Sequence, residues 1–282
     1  MAVQFIIDSA SDMTPEACAA LGVIHLPLTV LFGQEEFADG VTMTPDEFYD
    51  KLSTNPNHPT TSQVTPAAFA DAYQKVCAAG NEAVVITISS KLSGTYQSAV
   101  IAADDFEDRV FPVDSLTATS GEQVLLYRGL ELAAQGLSAR EIAETLNREK
   151  HSIRLYATLD TLEYLKKGGR ISAATAVVGG LLNIKPAIAV LDGLVQSVGK
   201  ARGAKGANTL LRQLVEQSGT IDHEKPVVVL HSGKSDANLT QFLADHGSLI
   251  PQNVSPIHTS IGAVIGTHAG PGAVGMAYFV KD

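Results

Sequence analysis

The sequence predicts an α/β protein in two parts: a parallel sheet covered by helices on both faces, then an α/β part with a mixed sheet. Three observations carry this prediction. Apolar strand-like runs alternate with capped helices through roughly the first 150 residues, and alternation of that kind implies crossovers and a parallel sheet. An Asp-Gly pair between two strand-like runs, IKPAIAVL and LVQSVGK, then marks a hairpin, which no helical crossover contains. Finally, 282 residues with 45% hydrophobic and 18% charged content suffice for about two domains with sizeable cores.

The elements follow in order. Val3–Ile7 is a short apolar strand running into Asp8-Ser9. Thr14-Pro15, Thr44-Pro45 and Thr65-Pro66 each join an N-cap hydroxyl to a proline at the first helical position, where a missing N–H is harmless. Glu47, three residues after Thr44, completes a capping box. Ser53–Thr60, rich in Asn and Pro, reads as a loop. Ala83–Ile88 (AVVITI) reads as a fully buried strand, and Arg109–Val113 as another that ends at Asp114-Ser115. Helices are expected at Thr95–Ala103, Thr119–Gln135 and Ser138–Lys150. Past residue 152 the pattern changes. Ser152–Ala157 is a strand, and Asp160 is expected to cap a helix that stops at Gly168-Gly169. The hairpin turns at Asp192-Gly193. Helices at Ala204–Ser218, Ser235–His246 and Thr259–Gly266, with strands at Pro226–His231 and Gly275–Val280, complete the second part. The expected domains are residues 1–152 and 153–282.

Composition excludes several functions. A net charge of −10 repels polyphosphate, so nucleic acid is not an expected partner. Cys18 and Cys77 form neither a CxxC nor a Cys/His cluster, which argues against a disulfide framework or zinc site and suits the cytoplasm. The MAVQFIIDSASD start lacks a basic n-region, and no run approaches the ~18 apolar residues of a membrane span.

Ligands of open parallel sheets bind beyond the carboxyl ends of the strands, where this sequence repeatedly places hydroxyls. Asp8-Ser9, Ser89–Thr95 (SSKLSGT) and Asp114-Ser115 follow strands, and Thr60-Thr61-Ser62-Gln63 precedes a capped helix. In SSKLSGT, Ser93 is placed to cap the next helix, and Gly94 admits close approach to the backbone. Free N–H groups and the helix dipole there suit a carboxylate or phosphate. Ser93 capping only its own helix accounts for the pattern equally well. Arg170, Lys185 and Arg202 are candidate cations. His268 lies in GTHAGPGAVG, with four glycines in ten residues, as a ligand contact or a turn histidine bonded to backbone.

Other signals fail. GPGAVG matches a dinucleotide pattern but leaves no room for the helix that must follow. Ser232-Gly233-Lys234-Ser235 resembles a P-loop tail, yet Val228 stands where its first glycine belongs. Asp8 resembles an aspartyl-phosphate nucleophile without the second Asp, since position 10 is Ala10. A Ser93–His268–Asp114 set lacks a G-x-S-x-G elbow. A serine hydrolase using Ser93 and His268, or a phosphotransferase using Asp8, is the enzymatic alternative.

The blocks IIDSASD, TTSQVTP, ITISSKLSGTYQSA, VDSLTATSGEQ, LEYLKKGGRIS, IKPAIAVLDG with KARGAKGA, and GTHAGPGAVG occur in order over nearly the whole chain. Together they resemble the DegV family, the fatty-acid-binding subunits that serve bacterial fatty acid kinases. Val64-Thr65 departs from the family's more usual Pro-Ser, and Lys91 stands where a small residue is often found, which bears on the ligand entrance. The resemblance implies a parallel α/β/α N-terminal domain and a smaller α/β C-terminal domain. It implies a non-catalytic carrier without cofactor or ATP site that buries one long-chain fatty acid. Thr61 and Ser93 would hydrogen-bond the carboxylate, assisted by Ser62 and the backbone at Gly94 and Thr95. His268 and Arg202 would lie near the carboxylate or its acyl phosphate, with Arg170 also on the phosphate- and kinase-facing side. A separate kinase phosphorylates the acid, and the carrier delivers acyl phosphate to phospholipid synthesis, meeting an acyltransferase and the membrane surface transiently.

Overall fold

A computed structural model describes residues 2–106, 108–171, 183–250 and 254–281. β1 (Val3–Asp8) opens the chain, its last four residues buried. Thr14 accepts a hydrogen bond from the Ala17 N–H and Pro15 begins α1 (Pro15–Ala20), as the Thr-Pro pair predicts. β2 (Ile24–Leu26), β3 (Thr29–Phe32) and β4 (Glu35–Ala38) lead to α2 (Pro45–Thr54), which is closed by the reciprocal Thr44–Glu47 box. β5 (Thr60–Ser62) precedes the Thr65-capped α3 (Pro66–Ala78). β6 (Glu82–Thr87), α4 (Thr95–Ala103), β7 (Val110–Asp114), α5 (Ser120–Ala134) and α6 (Ala139–Glu149) follow, the last with a Ser138–Glu141 box.

Among the described residues these strands form two sheets. β2-β1-β6-β7 is parallel throughout, with Ile6 beside Val85 and Val85 beside Pro112. The second, β4-β3-β5, is small and antiparallel, and strand–helix alternation does not foresee it. Its strands are three or four residues long, too short for a periodic signal. Thr60, expected in a loop, is the first residue of β5.

The later strands build a mixed sheet, as the hairpin implied. They are β8 (Ile153–Thr158), β9 (Ile184–Leu191), β10 (Leu194–Arg202), β11 (Val227–His231), β12 (Ile257–Ser260) and β13 (Val274–Phe279). They lie in the order β10-β9-β8-β13-β11-β12, and only β11 and β12 pair in parallel. Interspersed are α7 (Glu163–Lys167), α8 (Gly203–Gln217), α9 (Ala237–His246) and α10 (Ala263–Ala269). Asp192 (φ 48°) and Gly193 (φ 80°) supply the two positive φ angles of a type I′ turn.

Two expected helix starts are corrected. Asp160 does not cap α7, which begins after Leu162, because its carboxylate pairs with Lys185. Thr259 lies in β12, and the helix expected from it begins at Ala263, since remote carboxylates rather than a local hydroxyl hold its first N–H groups. The apolar core crosses from one half to the other: Ile7, Leu125 and Leu146 pack in one cluster with Leu155, Val228 and Phe279. α5 touches strands of both large sheets, so it forms the wall they share.

Candidate functional site

The polar groups of the strand-end loops fall into two roles. Some build the loops. Asp8 is fully buried at the end of β1 and accepts from the N–H groups of Ala10 (2.9 Å) and Ile88 (2.8 Å). Burial pushes its carboxyl up to about 7 despite those bonds. Both oxygens are thus occupied by backbone, which leaves no exposed nucleophile. Asp114 accepts from Ser90 and Leu116, each at 3.1 Å, and so shapes the turns after β6 and β7.

Others face a cavity of about 320 Å³ between the carboxyl edge of the parallel sheet, β5, α10 and one face of the mixed sheet. Such a volume is at the lower end of small-ligand sites, which run roughly 300–1,000 Å³. Its body is apolar, with Ile88 and Ala118 from the first half opposite Leu155, Ile188, Val190 and Leu230 from the second. Thr61, Ser62, Gln63, Ser93, Gly94, Arg170 and His268 line it as well. Among the described residues Arg170 is the one charged group in the wall.

The predicted residues sort clearly by position. Thr61 on β5 and His268 near the end of α10 share a hydrogen bond of 3.1 Å, so residues 207 apart in sequence meet. Ser93 lies 2.9 Å from the hydroxyl of Thr95 and accepts from the Thr95 N–H at 3.3 Å; Gly94, not Ser93, takes the N-cap position. Thr95 is buried behind Ser93 and outside the wall. Gly94 is needed for close approach, since a Cβ there would sit 2.0 Å from Oε1 of Gln63. Gln63 in turn donates to Ser98 at 2.8 Å. The Arg170 guanidinium donates to the carbonyls of Leu92 (3.1 Å) and Gly168 (2.7 Å), which fixes the cation beside His268. Arg202 ends β10, exposed and away from the cavity wall. Lys185 pairs with Asp160, and Lys91 packs its stem against the hairpin tip near Gly193; neither lines the cavity.

Burial, then Arg170 and His58, holds His268 down to about 4, so its imidazole is neutral at pH 7. The hydrolase arrangement asked for a Ser93–His268 pair; the ring instead bonds Thr61. A fixed cation, hydroxyls and a neutral histidine in the wall of an apolar cavity suit an anionic head on an apolar body. Thr119 was missed as a wall residue. Its φ of 50° is strained for a β-branched residue and is held by its N–H bond to Ala10 O (2.7 Å). Among the described residues no group of three His, Cys, Asp or Glu is placed to hold a metal ion, and no helix is long and apolar enough to cross a membrane.

The fold and cavity define an α/β protein with an internal apolar site whose wall carries polar groups, and known proteins share the fold. A family model described as "Uncharacterised protein, DegV family" matches residues 2–281. A DegV domain-containing protein of Deinococcus radiodurans is 39% identical over 288 residues, covering 98% of each chain. A solved DegV family protein from Thermus thermophilus, described by its fatty acid binding, has a TM-score of 0.87 at 31% identity, over 99% of this chain and 100% of that one. A stearic acid-binding protein from Eubacterium ventriosum has a TM-score of 0.85 at 26% identity, over 98% of each chain. The chain belongs to the DegV family.

Proposed function

We propose that this protein binds one long-chain fatty acid, with the alkyl chain in the apolar cavity and the carboxylate among Thr61, Ser93 and His268. The observation that carries the reading is the polarity of the cavity: apolar through its body, with hydroxyls, an imidazole and one fixed cation gathered in its wall. Fatty acid binding by the similar Thermus and Eubacterium proteins supports it. A C16 chain buries roughly 15 methylenes at ~0.8 kcal/mol each, a gross gain of ~12 kcal/mol before ordering costs. The chain therefore dominates affinity, while the head group sets orientation. Ser62 and the backbone at Gly94 assist the carboxylate, while Thr95, buried outside the wall with its N–H on Ser93, acts only through Ser93.

In this reading the chain is a non-catalytic, cytoplasmic carrier whose lobes, residues 1–152 and 153–282, close over the ligand. A separate kinase phosphorylates the carboxylate, Arg170 and Arg202 face the phosphate or the kinase, and the acyl phosphate passes to an acyltransferase at the membrane surface. Organic extraction of purified protein followed by mass spectrometry is expected to release about one equivalent of fatty acid. Recovery of none, even after exposure to lipid, sinks the proposal. A Thr61→Ala, Ser93→Ala double variant is expected to stay folded while fatty acid affinity falls roughly tenfold or more, about one charge-assisted hydrogen bond's worth.

A further inference from the structure

The small sheet β4-β3-β5 has no evident place in a two-sheet carrier, yet it touches α10 at both ends. Asp39 follows β4 directly, is nearly fully buried, and accepts from the Ala263 N–H at 2.9 Å. Asp12, from the turn after β1, accepts from the Gly262 N–H at 2.8 Å. The N-cap residue of α10 is Gly262, which has no side chain to do this itself. Gly262 is also tightly enclosed, since a Cβ there would lie 3.2 Å from Asp39 Oδ1 and 3.3 Å from Asp12 Oδ1.

At the other end of α10, His268 bonds Thr61 on β5. Across the sheet Ala38 lies beside Thr29 and Thr29 beside Ser62, so β4 and β5 flank β3. α10 packs on β3 and β5, so its first turn is held from beyond β4 and its last turn from β5. Arg170 and His58 are the charged or titratable groups that act on the ring, and Gly168 is so near that a Cβ there would sit 2.0 Å from Nδ1. His268 is therefore bounded by Gly168 and Thr61 on its closed sides and by the cavity on the other, so a shift of α10 moves the ring relative to all three.

We propose that Asp39 is a positioning residue of the head-group site: by fixing the first turn of α10 to the small sheet, it sets where His268 meets Thr61. The effect on ligand affinity rests on the fatty-acid reading; the effect on His268 in ligand-free protein does not.

The test is NMR titration of the histidine rings in delipidated protein, with His268 assigned by loss of its signal in His268→Gln, alongside fatty acid affinity. Asp39→Ala is expected to raise the His268 pKa by a unit or more and to weaken fatty acid binding about tenfold. Asp39→Asn, whose carbonyl oxygen still accepts from Ala263, is expected to restore both. Lys51→Ala, which removes an exposed ion pair to Glu35 beside the same sheet, is expected to change neither. An unchanged His268 titration in a less stable Asp39→Ala protein overturns the proposal and leaves Asp39 an ordinary cap. A shifted titration with unchanged affinity supports the clamp and overturns its link to the ligand. Should Asp39→Ala not fold, Asp39→Ser, whose hydroxyl is too short to hold Ala263 as well, is read by the same two measurements.

Discussion

At the scale of single residues, the site is governed by groups whose charge burial suppresses. His268 ionises near 4 in the fold and near 6.5 in the unfolded chain, so the unfolded state binds the extra proton first. Its contribution is present above pH 6.5 and is lost as pH falls toward 4, by roughly 3 kcal/mol at most. Substitution by Gln is expected to flatten the fall in urea-unfolding stability between pH 6.5 and 4; an unchanged slope would contradict the buried neutral imidazole. Glu122 behaves oppositely. It is fully buried in α5, and neither carboxylate oxygen has a hydrogen-bond partner among the described residues. Burial, then Asp8, Asp12 and Asp114, raises its carboxyl well above the usual range. Its stability contribution is present below pH 4.5 and is lost as pH rises toward the raised value. Glu122→Gln keeps the shape without the titration, so the variant is expected to gain on the wild type above pH 4.5 by up to ~1.4 kcal/mol per pH unit. Parallel stability curves for the two proteins from pH 5 to 8 would contradict this. Neither residue's state follows from its neighbours in sequence, because both depend on burial by segments far along the chain.

At the scale of elements, local chemistry was readable and long-range chemistry was not. Thr44, Thr65 and Ser138 announce helices because a cap is a contact within three residues. Asp192-Gly193 announces the hairpin because its turn type needs those φ angles. The start of α10 was misplaced since its caps come from Asp12 and Asp39, more than 220 residues away. The cavity wall was invisible for a different reason: Leu155, Ile188 and Leu230 look like core residues until packing leaves a gap between them. Gly193 tests the element scale directly. Its carbonyl accepts from the Ser89 hydroxyl at 2.8 Å, and a Cβ would sit 2.6 Å from that oxygen. Gly22 has a similar positive φ of 67° with open space around it. Gly22→Ala is expected to cost about 1 kcal/mol of backbone strain, whereas Gly193→Ala adds a steric clash and a disturbed hydrogen bond for about 2–3 kcal/mol in all. Equal losses in denaturant midpoint would show that the hairpin tip is not seated on Ser89.

At the scale of the whole molecule, the two large sheets share one core between them, although the other face of each packs an apolar cluster of its own. α5 packs against strands of both, and one apolar cluster runs from Phe5 through Leu126 to Phe279. Neither half can unfold without exposing surface that belongs to the other, so thermal unfolding is expected to be a single cooperative transition despite the chain's 282 residues. The cavity strengthens that expectation, since its walls come from both halves and the proposed acyl chain would touch each. A ligand that binds only the native state stabilises it by about 2.7 kcal/mol at a free concentration of 100 times its Kd, and in a molecule of this size each 1 kcal/mol moves Tm by roughly 2–4 °C. Scanning calorimetry of delipidated protein is expected to give one peak that rises several degrees, undivided, when a saturating long-chain fatty acid is restored. Two peaks, of which the ligand moves only one, would mean that the shared core does not couple the halves and that the acyl chain lies within one of them.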